Sequence, residues 1–93
     1  MSIQLLPREL AGGPGTGNDE HIVIVFNNEH NTYEEVAGIL MRATGCNAKE
    51  AEIETWEVDH LGKSVVHHGE EKECERIASI IRTIGIKVEV RQE

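Results

Sequence analysis

The chain has 93 residues, 39% of them hydrophobic, which suffices for one small domain around one core and excludes an enzyme built between two domains. Seventeen acidic residues stand against nine basic ones, a formal net charge of −8. A nucleic-acid binder is therefore not expected, because it needs a basic surface to neutralise phosphates, and one Phe, one Trp and one Tyr make no stacking platform for bases.

Taken in chain order, residues 1 to 20 read as a flexible tail. The stretch Ala11-Gly12-Gly13-Pro14-Gly15-Thr16-Gly17-Asn18 offers nothing to bury and has no fixed backbone preference. It lacks the preceding strand and the Gly-Lys-Ser/Thr ending of a phosphate-binding loop. The opening MSIQLLPREL has neither a basic n-region nor a long apolar h-region, and no apolar run reaches the roughly 20 residues of a membrane span. The expected location is the cytoplasm, with no membrane partner.

His21 to Phe26 is a continuous β-branched run, the pattern of a buried central strand. Asn27 to Asn31 breaks it with turn formers. Thr32 and Glu35 have the spacing of a capping box, in which each side chain satisfies an orphan amide of the other residue. Val36, Ile39, Leu40 and Ala43 follow on one helical stripe, and Gly45 ends the helix. Asn47 opens a second helix. Ala48, Ala51, Thr55 and Val58 share one of its faces, and Ile53, Trp56 and His60 a second, so this helix is expected to be sandwiched. Gly62 ends it.

Ser64 to Val66 is a short strand candidate. Glu70 and Glu71 open a third helix, placing acids at the positive end of its dipole. Its stripe is Cys74, Ile77, Ile80, Ile81 and Ile84, closed by Gly85. Ile86 to Arg91 alternates with period two, as an antiparallel strand with one wet face does. The expected fold is α+β: a three-stranded antiparallel sheet packed against three helices, in the order β-α-α-β-α-β, over residues 21 to 93.

Few constellations carry chemistry. His60, His67 and His68 could gather at a metal with Cys74 or Asp59. Neighbouring His67 and His68 on a strand point to opposite faces, however, and no HxH or CxxC spacing is present. Cys46 and Cys74 read as reduced, small core residues, and nothing supplies Cys46 with a base. The loop Asn27 to Asn31 is the most informative segment. Its amides and acid either hold the loop through side-chain to backbone bonds or present acceptors to an incoming cation or ammonium.

The block Val25-Phe26-Asn27-Asn28-Glu29-His30-Asn31-Thr32-Tyr33-Glu34-Glu35-Val36 resembles the ClpS adaptors, whose pattern runs strand, Asn-Asp-Asp, aromatic, Thr-Pro-Met, helix. Glu57-Val58-Asp59-His60-Leu61-Gly62-Lys63-Ser64-Val65-Val66 is similar to the family's Val-His-x-x-Gly-Lys-Ala-Val stretch. The two blocks keep the family's separation without a gap. Here the family His is Asp59, with His60 beside it; the Asp-Asp pair is Asn28-Glu29; the Thr-Pro step is Asn31-Thr32.

The resemblance implies a non-enzymatic adaptor without metal or cofactor. ClpS proteins bind the N-terminal residue of a substrate, usually Leu, Phe, Tyr or Trp, and hand the substrate to a Clp AAA+ unfoldase of the ClpA or ClpC kind. Carried over, the substrate N-terminus falls to Asn27, Asn28, Glu29, Asn31 and Asp59. Of these, Asn27, Glu29 and Asp59 match the grip on the α-amino group, and Asn31 matches a contact to substrate backbone. Tyr33 takes the place of the Met that gates the side-chain pocket, whose walls fall on Val36, Thr55, Val58 and Val88. The implied partners are substrate N-terminal peptides and the unfoldase, with the adaptor itself a monomer. Two alternatives stand beside this reading: a small metal-binding or enzymatic domain using His60, His67 and His68, and a ClpS-fold paralogue with a closed pocket.

Overall fold

The computed structural model describes residues 20–93; the expected tail lies outside them but for Glu20. The elements are β1 (His21–Phe26), α1 (Tyr33–Thr44), α2 (Ala48–Leu61), β2 (Lys63–Gly69), α3 (Glu71–Arg82) and β3 (Val88–Gln92). β1 is central and pairs antiparallel with both neighbours, giving the strand order β2-β1-β3. Val23 and Val25, fully buried, face the helices beside Val66 and Val88. Leu40 of α1, Ala51 and Val58 of α2, and Ile77 and Ile81 of α3 complete this single core.

The helix ends follow local signals. Thr32 Oγ1 accepts from the Glu35 amide at 3.1 Å, and the Glu35 carboxylate accepts from the Thr32 amide at 3.0 Å. The bond from the Thr32 amide, with a further one from the Asn31 side chain, holds the Glu35 carboxyl below the usual carboxylate range. Asn47 caps α2 through the Glu50 amide. Gly45 and Gly62 stop α1 and α2 in the left-handed conformation, with φ of 78° and 92°.

Two expectations need correction. β2 is longer than Ser64 to Val66, because it runs along β1 from Lys63 to Gly69. A bulge between the pairs Val23–His67 and Ile24–Val65 leaves Val66 as the extra residue. α2 is not sandwiched: Ile53 is 53% and Trp56 47% exposed. Its buried face already meets both α1 and β2, and among the described residues no element packs on the side that carries Ile53 and Trp56.

Glu54 of α2 has one carboxylate oxygen buried with no hydrogen-bond partner among the described residues. Burial pushes its carboxyl up to about 7, helped by the Glu50 and Glu57 carboxylates. Between pH ~4.5 and ~7 the folded chain thus holds a proton that the unfolded chain has lost. Stability is highest below that window and falls as pH rises through it. Glu54→Gln is expected to raise stability at pH 8 by about 1 kcal/mol, after discounting for partial exposure, or roughly 4–8 °C in Tm. The gain should vanish near pH 4.5. An equal gain at both pH values in thermal melts would contradict this account.

Candidate functional site

A cavity of about 100 Å³ opens where the end of β1, the loop after it, the first turn of α1 and the C-terminal half of α2 converge. Its apolar wall is made by Val36, Val58 and Thr55. The Thr55 hydroxyl donates to Ala51 O at 2.7 Å, so it adds no free polar group. An engineered apolar cavity of about 150 Å³ admits benzene; a space of about 100 Å³ is on the scale of an aliphatic side chain.

The polar rim consists of Asn27, Asn28, Asn31, Thr32 and Asp59. Asn28 and Asn31 are committed to the loop itself. Asn28 Oδ1 accepts from the amides of His30 and Asn31, and its amide donates to Asn31 Oδ1 at 2.8 Å and to Gly85 O at 3.4 Å. The Asn31 amide donates to Ile84 O at 2.8 Å and to Glu35 at 3.1 Å. Both reach the turn between α3 and β3, where Gly85 adopts φ 84°. That left-handed step, which a side chain would resist, aims the two carbonyls at the loop.

Asn27 and Asp59 are different. Asn27 is exposed and its backbone amide donates to Gly62 O at 2.9 Å. Its side chain makes no hydrogen bond among the described residues. Asp59 is exposed, with His60 Nδ1 at 3.5 Å. That nitrogen lies 3.1 Å from Trp56 O. A carbonyl only accepts, so Nδ1 carries the hydrogen in this contact. Asp59 also stands in the last turn of α2, at the negative end of the helix dipole. A carboxylate is disfavoured there and a cation favoured. Asn27 and Asp59 therefore offer acceptors to an ammonium beside the cavity's apolar wall.

Tyr33 forms the side wall. Its ring borders the cavity and its hydroxyl donates across to Glu52 O of α2 at 3.3 Å. It is 42% exposed. Of the other expected residues, Glu29 is exposed and outside the lining. Val88 is also outside; it pairs with Val25 in the core. Thr32, not foreseen, borders the cavity; its place as N-cap between Asn31 and Tyr33 was the available signal.

The three histidines are held apart. His60 stacks on Trp56, with ring centroids 4.4 Å apart. His67 lies 3.7 Å from Glu73, and His68 4.0 Å from Glu93. Among the described residues no group of three or more His, Cys, Asp or Glu side chains could hold a metal. Burial pushes the Cys74 thiol up, the Glu73 and Glu75 carboxylates adding to the effect. Among the described residues no helix is long and apolar enough to cross a membrane.

Comparison with known proteins agrees with this architecture. Agrobacterium tumefaciens ClpS2, in its structure bound to L-phenylalaninamide, superposes with a TM-score of 0.77 over 82% of this chain and 99% of that one, at 16% identity. The human E3 ubiquitin-protein ligases UBR2 and UBR1 are 34% and 30% identical over 79 and 66 residues. Those stretches are 78% and 71% of this chain but 4% of either ligase. The family model of the ATP-dependent Clp protease adaptor protein ClpS matches residues 16–88. The chain therefore belongs to the ClpS family.

Proposed function

We propose that this protein is an adaptor that binds the N-terminal residue of substrate proteins and delivers them to a Clp AAA+ unfoldase of the ClpA or ClpC kind, acting as a monomer in the cytoplasm and catalysing no reaction. The observation that carries the reading is the cavity itself: an apolar wall of Val36, Thr55 and Val58 beneath a rim where Asn27 and Asp59 keep free acceptors. A peptide N-terminus is the group in which a cation and a side chain leave the same carbon, so one such cavity reads both. Recognition of this kind needs no catalytic residue. Membership in the ClpS family supports it. So do the amino-acid amide bound to the structurally similar ClpS2 and the likeness to part of two ubiquitin ligases.

The test is a titration of peptides that differ only in their first residue. Leu-led peptides are expected to bind best, Phe- and Trp-led peptides more weakly, and Asp- or Gly-led peptides not measurably. Uniform affinity across the panel would remove the cavity from the account.

A further inference from the structure

Beyond the first cavity, the Tyr33 ring borders a second concave surface. On one part of it lie Glu34, Ala37 and Glu52; on the adjoining part lie Glu52, Ile53 and Trp56. Tyr33, Ile53 and Trp56 are 42%, 53% and 47% exposed. His60 stacks on the indole, the two ring planes 15° apart. Neither Glu34 nor Glu52 has a side-chain hydrogen bond or ion pair among the described residues. The surface thus joins exposed apolar rings to two unengaged carboxylates, and it is continuous with the candidate site through Tyr33.

We propose that this surface receives the side chain of the third residue of a bound peptide, and that it selects a long cationic side chain, arginine above all. The inference rests on the adaptor reading, since the peptide must first seat its N-terminus in the cavity. In an extended chain the side chains alternate, so the first and third share a face about 6.6 Å apart. Tyr33 borders both the cavity and this surface, so the two lie side by side across one residue. With the first side chain in the cavity, the third falls across Tyr33. An arginine stem lies along Tyr33 and Ile53, its guanidinium stacks at Trp56, and Glu34 and Glu52 supply the opposite charge. A glutamate at the same position meets two like charges.

The experiment compares three free-amine peptides, beginning Leu-Ser-Arg, Leu-Ser-Ser and Leu-Ser-Glu and otherwise identical, by fluorescence anisotropy at low and physiological salt. The Arg peptide is expected to bind roughly fivefold tighter than the Ser peptide and the Glu peptide more weakly than both, with the spread shrinking as salt rises. The double variant Glu34→Gln with Glu52→Gln should erase most of the spread and leave the Leu-Ser-Ser affinity unchanged. It keeps the Glu52 backbone carbonyl that Tyr33 uses. Equal affinities for the three peptides, or a spread that survives in the double variant, overturns the proposal. Self-association of the unmodified protein that Trp56→Ala abolishes would give the face to a second copy and overturn it as well. The adaptor reading fails separately, through binding indifferent to acetylation of the peptide N-terminus; failure of all three peptides to bind overturns both.

Discussion

Asp59→Ala is expected to weaken binding of a Leu-led peptide about thirtyfold, and acetylation of the peptide by at least as much. A free α-amino group is a cation below a pKa of about 8. Its hydrogen bonds to a carboxylate are charge-assisted, and losing one costs on the order of 2 kcal/mol, near thirtyfold in affinity. Asp59 is exposed and sits at the unfavourable end of the α2 dipole. Its removal should therefore leave thermal stability unchanged or slightly raised, which separates a binding defect from an unfolded protein. Glu29→Ala is the internal comparison: its side chain lies outside the cavity lining, so its effect should stay under about twofold, the size of a screened surface charge. Anisotropy titrations with thermal melts on the same samples check both. If neither Asp59→Ala nor acetylation changes affinity, the ammonium does not bind at this rim.

Tyr33→Ala is expected to raise affinity for Trp- and Phe-led peptides about tenfold relative to Leu-led ones. The Tyr33 ring is one wall of a cavity of about 100 Å³, and its hydroxyl is tied to Glu52 O on the neighbouring helix. A ring held at both ends cannot bend aside for a large guest as a methionine chain does. Removing it joins the cavity to the concave surface beyond, which shares the same ring. The apolar area gained by a second ring is worth on the order of 1–2 kcal/mol, which sets the tenfold scale. Tyr33→Phe keeps the wall and loses only the hydrogen bond, so it should retain the Leu preference. Unchanged ranking of Leu, Phe and Trp in Tyr33→Ala would show that the wall does not set specificity.

Both effects depend on placements of unequal legibility. The element order, the capping box at Thr32 and Glu35, the stops at Gly45 and Gly62 and the central position of β1 are all local. They follow from spacing, from orphan amides near a chain end and from β-branched runs. Most of the cavity lining was also legible, through the resemblance of two blocks that the fold brings to one place.

What the sequence by itself determined, then, is the α+β architecture, the family and the segments that meet at the site. The tertiary structure decided which polar side chains remain available there. Asn28 and Asn31 bind carbonyls of Gly85 and Ile84, 57 and 53 residues away, so their amides hold the loop, while Asn27 and Asp59 stay open. It also decided that Ile53 and Trp56 face outward, because one side of α2 suffices to meet α1 and β2. A hydrogen bond or a covering surface between segments so far apart depends on where the chain returns, and residue spacing carries no record of that return.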